Sequence, residues 1–286
     1  MDFQEMLSRF GCSCSVKAAT QFRTEEDGSA YQVWKLETDA GDFVLKKITQ
    51  EEKAVYEAFF SQRGPAPKVF GFLEFAGEWY LLMEYFAGSS MSRCTRQRLI
   101  RTLDALIESQ KQYWNSAEHG DVGYSFEKSW PNRCKRLAYM GDLAPAYQAY
   151  LDTFASLPRT LCNDDLLPFN VLATEERAVI LDWEYAGILP YPCALARFLA
   201  FGEERDDAMF FMTEEDRQFA LDYYYAHLVR EMGISRAEFD GTMALFFFKE
   251  YSEWVYCAAI SGEEDMEYAQ KYGPMARKLA EDLGYL

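Results

Sequence analysis

The chain has 286 residues, 49% of them hydrophobic and 16% aromatic, with 46 acidic against 29 basic side chains and a formal charge of −17. That length and apolar content can build two lobes and exclude global disorder. The acidic balance argues against nucleic acid and against an anionic membrane as partners, since both need a positive footprint. It is compatible with a cationic small molecule without demonstrating one. Seven cysteines are scattered, no Cys-x-x-Cys occurs, and the two histidines, His119 and His227, are far apart, so a zinc site is not expected. Cys12-Ser13-Cys14 is too tight for an ordinary disulfide framework, and scattered free thiols suit a reducing cytoplasm. The opening MDFQEMLSRF reads as amphipathic rather than as a signal peptide, and no apolar run approaches the ~18 residues of a membrane span.

In chain order, residues 1–20 read as a short helix and a turn. Tyr31–Leu36 is β-rich, Asp39-Ala40-Gly41-Asp42 is a turn, and Phe43–Ile48 is a second strand. Ahead of them, Asp27-Gly28-Ser29-Ala30 offers small residues where backbone amides approach phosphates, which makes Gly28 and Ser29 candidates for covering a nucleotide, although no G-x-G-x-x-G is present. Lys46 and Lys47 point to opposite faces of their strand. Lys46 shares the face of Val44 and Ile48, so its charge is directed inward and needs a partner. The following stretch, Thr49–Arg63, reads as a helix with Glu51 and Glu52 in its first turn. Glu52 is the expected partner of Lys46 and Glu57 the second choice.

Gly64-Pro65-Ala66-Pro67 stops that helix. Val69–Phe75 and Trp79–Met83 read as strands around a turn at Ala76-Gly77-Glu78. Glu84-Tyr85-Phe86-Ala87-Gly88 follows, and beyond it the composition turns helical. The lobe boundary is therefore expected near residues 84–90, separating residues 1–86 from residues 87–286. Thr95–Asn115 is a long amphipathic helix, Ser116–Asn132 is loop-like, and Arg133–Ala155 is helical again. After the stretch considered next, helices are expected at Pro192–Phe201, Glu214–Met232, Arg236–Ser261 and Met266–Leu283. Phe246-Phe247-Phe248 is most simply core.

The most informative stretch is LCNDDLLPFNVLATEERAVILDWE, residues 161–184. Asp165-Leu166-Leu167-Pro168-Phe169-Asn170 fits the Asp-Leu-x-x-x-Asn loop of kinases, in which the aspartate accepts the proton of the attacking hydroxyl and the asparagine holds magnesium. A β-like run, Ala178–Leu181, then ends on Asp182, placed to hold magnesium against nucleotide phosphates. Taken singly, each of these side chains also reads as a turn or cap residue. Their shared order and spacing favour the kinase reading. A strand lysine paired with a helix glutamate serves the same chemistry by holding phosphates.

These phrases, Phe43-Val44-Leu45-Lys46, Leu81-Leu82-Met83-Glu84-Tyr85, Cys162 to Asn170, and Asp182-Trp183-Glu184-Tyr185-Ala186-Gly187, resemble the aminoglycoside phosphotransferase and choline/ethanolamine kinase superfamily across roughly residues 20–205. The resemblance implies an α+β, bilobal protein-kinase-like fold: a small N-lobe with an antiparallel sheet and one helix, and a larger, mostly helical C-lobe. It implies ATP as co-substrate, Mg2+, and transfer of the γ-phosphoryl group to a small-molecule hydroxyl. By the same resemblance Asp165 is the base, Asn170 and Asp182 are magnesium ligands, Lys46 contacts phosphates, and Glu52 positions Lys46. Glu84, Tyr85 and Phe86 become the hinge that borders the adenine. Glu184 orients the base, assists the metal or faces the acceptor; the alternative is a solvated turn residue.

Two departures from the family pattern stand out. Asn163 occupies the place where the family usually has a loop-fixing histidine. Ala194-Leu195-Ala196 stands where an Asp-Leu-Ala phrase often braces the loop. They keep open a catalytically weak or inactive nucleotide-binding pseudokinase. A metal-dependent hydrolase using the aspartates alone would need neither Lys46 nor a hinge. A protein kinase is not expected, because Asp-Phe-Gly and Ala-Pro-Glu are absent. For the acceptor, Tyr223-Tyr224-Tyr225, Glu250, Tyr251, Glu253, Trp254 and Tyr256 offer aromatic faces and carboxylates suited to an amine of the choline, ethanolamine or aminoglycoside kind. Glu250 and Trp254, four residues apart, share a helix face. The same aromatic stripe also reads as core.

Overall fold

A computed structural model describes residues 2–24, 28–60, 64–262 and 266–286. Asp27 and the expected end of the first-lobe helix at 61–63 lie outside the described residues. The chain opens with α1 (Phe3–Arg9), capped by Asp2, whose carboxylate accepts from the Glu5 N–H at 3.0 Å. Five strands follow, interrupted by one helix: β1 (Val16–Arg23), β2 (Ala30–Thr38), β3 (Gly41–Ile48), α2 (Gln50–Phe59), β4 (Val69–Phe75) and β5 (Glu78–Glu84). They form one sheet in the order β1-β2-β3-β5-β4, with every neighbour antiparallel.

Strand alternation decides what lies on each side of this sheet. Trp34, Leu36, Leu45, Tyr80 and Leu82 face α1 and close a small cluster with Met6 and Leu7. Ile48, Leu81 and Met83 face the other way and meet Val55, Tyr56 and Phe59 of α2. That second cluster does not end at the lobe boundary but continues into the C-lobe. Thr49 caps α2 by accepting from the Glu52 N–H at 3.0 Å, which fixes Glu52 in the first turn beside β3.

The C-lobe comprises β6 (Ser89–Ser90), α3 (Arg96–Tyr113), α4 (Phe126–Arg136), α5 (Ala144–Ser156), β7 (Arg159–Asn163), β8 (Val171–Ala173), β9 (Ala178–Ile180), β10 (Ala186–Pro190), α6 (Pro192–Ala200), α7 (Glu214–Tyr224), α8 (Arg236–Ser261) and α9 (Glu267–Asp282). Its strands form two small antiparallel sheets, β6-β8-β9 and β7-β10. The architecture is α+β and bilobal, with an antiparallel N-lobe and a helical C-lobe, as the sequence leads one to expect. The N-lobe holds two helices rather than one, because α1 covers the back of the sheet.

Three other elements depart from the sequence reading. β1 falls within and beyond what reads as helix and turn, because Lys17, Thr20, Gln21 and Arg23 break any apolar alternation. It is an edge strand, mostly exposed, and its hydrogen bonds to β2 supply the order. α4 begins inside the expected loop and carries Pro131 in its interior. The stacked rings of Phe126 and Trp130 and the buried Arg133 hold the helix despite the proline. β10 occupies part of what reads as a return toward helix. Pro190 is tolerated at its end, paired opposite Arg159 in a two-stranded sheet.

Helix α2 is fastened to the C-lobe. Phe59 packs edge-on against Tyr113 at 5.1 Å and His119 at 5.3 Å between ring centres, and Phe60 meets Trp183 at 4.4 Å. The Pro65 carbonyl accepts from the Ile180 N–H at 2.6 Å. Gly123, at φ +65°, lets the loop before α4 approach so closely that an added Cβ would overlap the Ala186 carbonyl oxygen and Val55 Cγ2. Gly77 has φ +80° but open space around it. Gly77→Ala should therefore cost only the left-handed backbone term, about 1–2 kcal/mol. Gly123→Ala should cost a further ~1–3 kcal/mol from overpacking. Urea unfolding of the two variants checks this; equal losses would mean that Gly123 is not a tight contact.

Candidate active site

Four short segments meet at the cleft: β3 and α2 from the N-lobe, and the loop after β7 and the residues after β9 from the C-lobe. β7 is almost wholly buried and delivers Asn163 at its end. The Asn163 side chain, 1% exposed, then does two jobs. Its Oδ1 accepts from the Asp165 N–H at 3.0 Å, and its Nδ2 donates to the Asp182 carbonyl at 2.8 Å. One amide thus turns the loop and ties it to the segment that carries Asp182. Asn170 adds a second tie: its Nδ2 donates to the Asp165 carbonyl at 3.0 Å, and its own carbonyl accepts from the Leu181 N–H at 2.7 Å. Asp182 stands in the left-handed region, φ +52°, with its side chain about half exposed.

Lys46 lies on the inward face of β3 with its side chain 15% exposed. Its Nζ donates to Glu52 Oε1 at 2.6 Å and to Asp182 Oδ1 at 2.8 Å. Burial works to lower the lysine's pKa, but the carboxylates of Glu52 and Asp182 outweigh it and hold it above the usual lysine value, so the ammonium persists. Burial pushes the Glu52 carboxyl upward while Lys46 pulls it back. Glu57, the second choice of partner, pairs with Lys53 instead, and Lys47 turns to the other side of the sheet to meet Glu78. A cavity of about 660 Å³ opens beside the triad, lined by Lys46, Glu52, Asp182 and Glu184 among others. A second cavity, about 600 Å³ and lined by Asn115, Ser125, Arg159 and Ile188, contains none of the motif residues.

Asp165 is the side chain whose surroundings the sequence did not disclose. Arg197 of α6 donates to its Oδ1 through Nη2 at 2.8 Å and Nε at 3.2 Å. Burial raises the Asp165 carboxyl above the ordinary aspartate value, against the pull of Arg197. Arg197 also donates through Nη1 to Glu250 Oε2 at 3.0 Å, and Lys249 donates to Glu250 Oε1 at 3.0 Å. Beside this, Asp164 accepts from the fully buried Arg133 at 2.5 Å. Burial works to raise Asp164, but Arg133 and Lys249 hold it below the ordinary value. Arg197 had one visible signal: it is the only charge in the expected helix Pro192–Phe201, and a charge on a buried helix needs a partner. The partnership of Arg133 with Asp164 had no such signal.

The remaining expected residues divide. The Glu84 side chain pairs with Arg177 at 2.9 Å and accepts from the Lys68 N–H at 2.9 Å; Tyr85 lies under Lys35, and Phe86 beside Arg177. Gly28 and Ser29 close the β1–β2 hairpin, where the Ser29 carbonyl accepts from the Thr24 N–H at 2.9 Å, and they do not line the cavity. Glu250 is 2% exposed with both carboxylate oxygens engaged, so it does not face an acceptor. Trp254 packs on Tyr268 of α9 at 4.5 Å, and Glu253 pairs with Arg136. The expected cage of Glu250 and Trp254 is not assembled, because α9 covers the aromatic stripe and the cations of α4, α6 and α8 take up the carboxylates.

Comparison with known proteins agrees with this geometry. The profile of the Phosphotransferase enzyme family matches residues 23–228. The chain belongs to that family and is an ATP-dependent phosphotransferase with an alcohol group as acceptor. No curated protein sequence is significantly similar to it. Among solved structures, choline kinase LicA from Streptococcus pneumoniae is similar at 14% identity and TM-score 0.63, over 98% of each chain. The ternary complex of a thermostable mutant of aminoglycoside phosphotransferase APH(4)-Ia with ADP and hygromycin B is similar at 14% identity and TM-score 0.62, again over 98% of each chain. A choline/ethanolamine kinase family protein from Mesorhizobium loti is similar at 16% identity and TM-score 0.60, over 98% of this chain and 92% of that one. At these identities the likeness is one of fold.

Asn163→Ala removes a buried donor and a buried acceptor together and leaves the Asp165 N–H and the Asp182 carbonyl without them. The expected loss is about 2 kcal/mol or more of stability. Chemical denaturation measures it; a loss under about 0.5 kcal/mol would show that Asn163 does not brace the loop.

Proposed function

We propose that the protein transfers the γ-phosphoryl group of ATP to a hydroxyl of a small, amine-bearing acceptor, of the choline/ethanolamine or aminoglycoside kind. The observation that carries this reading is Lys46, held between Glu52 of one lobe and Asp182 of the other at 2.6 and 2.8 Å. In this reading residues 1–86 form the nucleotide-binding lobe and residues 87–286 the catalytic and acceptor-binding lobe. Lys46 contacts phosphate oxygens and Glu52 positions it. The adenine lies along Glu84, Tyr85 and Phe86, where the Phe86 N–H has no hydrogen-bond partner among the described residues.

Asn170 uses its Nδ2 on the Asp165 carbonyl and so has Oδ1 left for a cation, while Asp182 presents a half-exposed carboxylate. One amide and one carboxylate oxygen fit Mg2+, a hard cation that completes its shell with phosphate oxygens and water rather than with a protein cage. Among the described residues no cluster of three or more His, Cys, Asp or Glu is placed to hold a metal. Bound magnesium would neutralise charge on the transferred group. Asp165 accepts the acceptor's proton, a task favoured by the burial that raises its carboxyl. An amine on the acceptor is supported by the surroundings of Tyr185, half exposed, whose hydroxyl pKa is raised first by the adjacent Glu184, then by burial and by Asp165 and Asp182. We place the protein in the cytoplasm, where seven unpaired thiols persist. No helix among the described residues is long and apolar enough to cross a membrane.

The pseudokinase alternative drew on Asn163 and Ala194. It gains no support, since Asn163 closes the loop through two hydrogen bonds.

Two experiments bear on this reading. ATP and magnesium together should raise the melting temperature by several degrees, with neither alone doing so, because only the native state binds the complex. Asp182→Ala should abolish that shift; a full shift in the variant would remove Asp182 from the metal site. In a screen of choline, ethanolamine and aminoglycosides as acceptors, Asp165→Asn should retain the nucleotide-dependent shift and lose turnover by about 100-fold or more. Near-normal transfer by Asp165→Asn would exclude it as the base.

A further inference from the structure

The geometry points to Arg197 as the positioning residue of the proposed base: it clamps one carboxylate oxygen of Asp165 so that the other is presented to the acceptor hydroxyl. This rests on the reading of Asp165 as the base. Both Nη2 and Nε of Arg197 converge on Oδ1, at 2.8 and 3.2 Å, while Oδ2 has no hydrogen-bond partner among the described residues. A carboxylate turns about its terminal torsion with little preference, so its plane is fixed only by what binds it. Two donors from one rigid guanidinium fix it where a single donor would not.

The guanidinium is itself held. Its remaining terminal nitrogen donates to Glu250 Oε2 at 3.0 Å, and Glu250 Oε1 receives Lys249 at 3.0 Å. Lys249 also lies 3.7 Å from Glu253 Oε2, and Glu253 receives Arg136. The Arg197 side chain is 18% exposed and that of Glu250 2%, so this end of the row is shielded from water. Asp165, 34% exposed, is where the row reaches the cleft. Lys249 and Glu250 are thus the support of the base.

This role separates from simple stability by a double-mutant cycle. The reaction is MgATP hydrolysis with water as the acceptor, read as ADP formed, which requires no identified acceptor. Arg197→Lys keeps the charge and loses the fork. It should lower kcat by about 100-fold, the scale of an ångström of misplacement, with the KM for MgATP within about twofold. Glu250→Gln leaves both Arg197 and Asp165 in place and should lower kcat by about tenfold. In an Asp165→Asn background, neither change should lower the residual rate further, since the group being positioned is gone. Unchanged kcat in Arg197→Lys overturns the role, and so do losses that multiply with Asp165→Asn. Should Arg197→Lys fail to fold, the Glu250→Gln cycle decides by the same criterion. An Asp165→Asn variant as active as the unaltered protein would instead fail the assignment of the base, and the positioning role falls with it; where water is too poor an acceptor to yield ADP, the same cycle is read with the alcohol that the acceptor screen identifies.

Discussion

The cleft depends on keeping one ammonium charged away from water. Lys46 sits on an inward strand face because Leu45 must face α1, and strand alternation leaves the lysine no other side. A lone lysine there would shed its proton. It keeps it because two carboxylates reach it, Glu52 from α2 and Asp182 from the far lobe. The arrangement therefore requires both lobes in register. The packing of Phe59 and Phe60 on Tyr113, His119 and Trp183 supplies that register by fastening α2 to the C-lobe. Trp183 directly follows Asp182, so the contact that anchors α2 also anchors the carboxylate facing it.

A second set of charges lies beneath the loop. Asp164, Asp165, Glu250 and Glu253 meet Arg133, Arg136, Arg197 and Lys249 in alternation. Four acids against four bases make this layer neutral within a chain of net charge −17. The excess negative charge consequently lies elsewhere. Buried pairs of this kind are poor evidence for stability, because desolvation offsets much of their attraction. They do specify position, since a displaced partner leaves its counterpart buried and uncompensated. Under the loop that carries Asp165 into the cleft, they fix where that carboxylate stands.

What the sequence disclosed follows from this division between local and distant constraint. Strands β3 and β5, helices α3, α6, α8 and α9, and the pairing of Lys46 with Glu52 were legible because each is set by short-range periodicity or by a charge on an apolar face, whereas the bilobal class was legible only through the resemblance of the motif phrases to a known family. β1 was not, since an exposed edge strand takes its order from a neighbour and not from its own pattern. The partner of Asp165 was not, since Arg197 lies 32 residues further along the chain and its own partner Glu250 another 53 beyond that, on helices whose packing no local pattern gives. The aromatic stripe around Trp254 showed its spacing but not what covers it. Only the placement of α9, with Tyr268 and Tyr272 against that face, turns a candidate cage into core.

The two departures from the family pattern then acquire a physical reading. The loop needs one donor and one acceptor at the end of β7, joining the Asp165 N–H to the Asp182 carbonyl, and the amide of Asn163 supplies both without a titrating group. The carboxylate often found at the position of Ala194 has no counterpart there, and Ala194 is completely buried among apolar neighbours. Here the bracing has the opposite polarity: the loop carries the acids, Asp164 and Asp165, and the surrounding helices carry the cations, Arg133 and Arg197. Asp164 belongs to this exchange, because a second loop carboxylate gives Arg133 of α4 a place to bind and lets a helix outside the β7–β10 pair steady the turn. What persists from the family pattern is a fixed carboxylate at the mouth of the cleft, secured in this chain by cations beneath it.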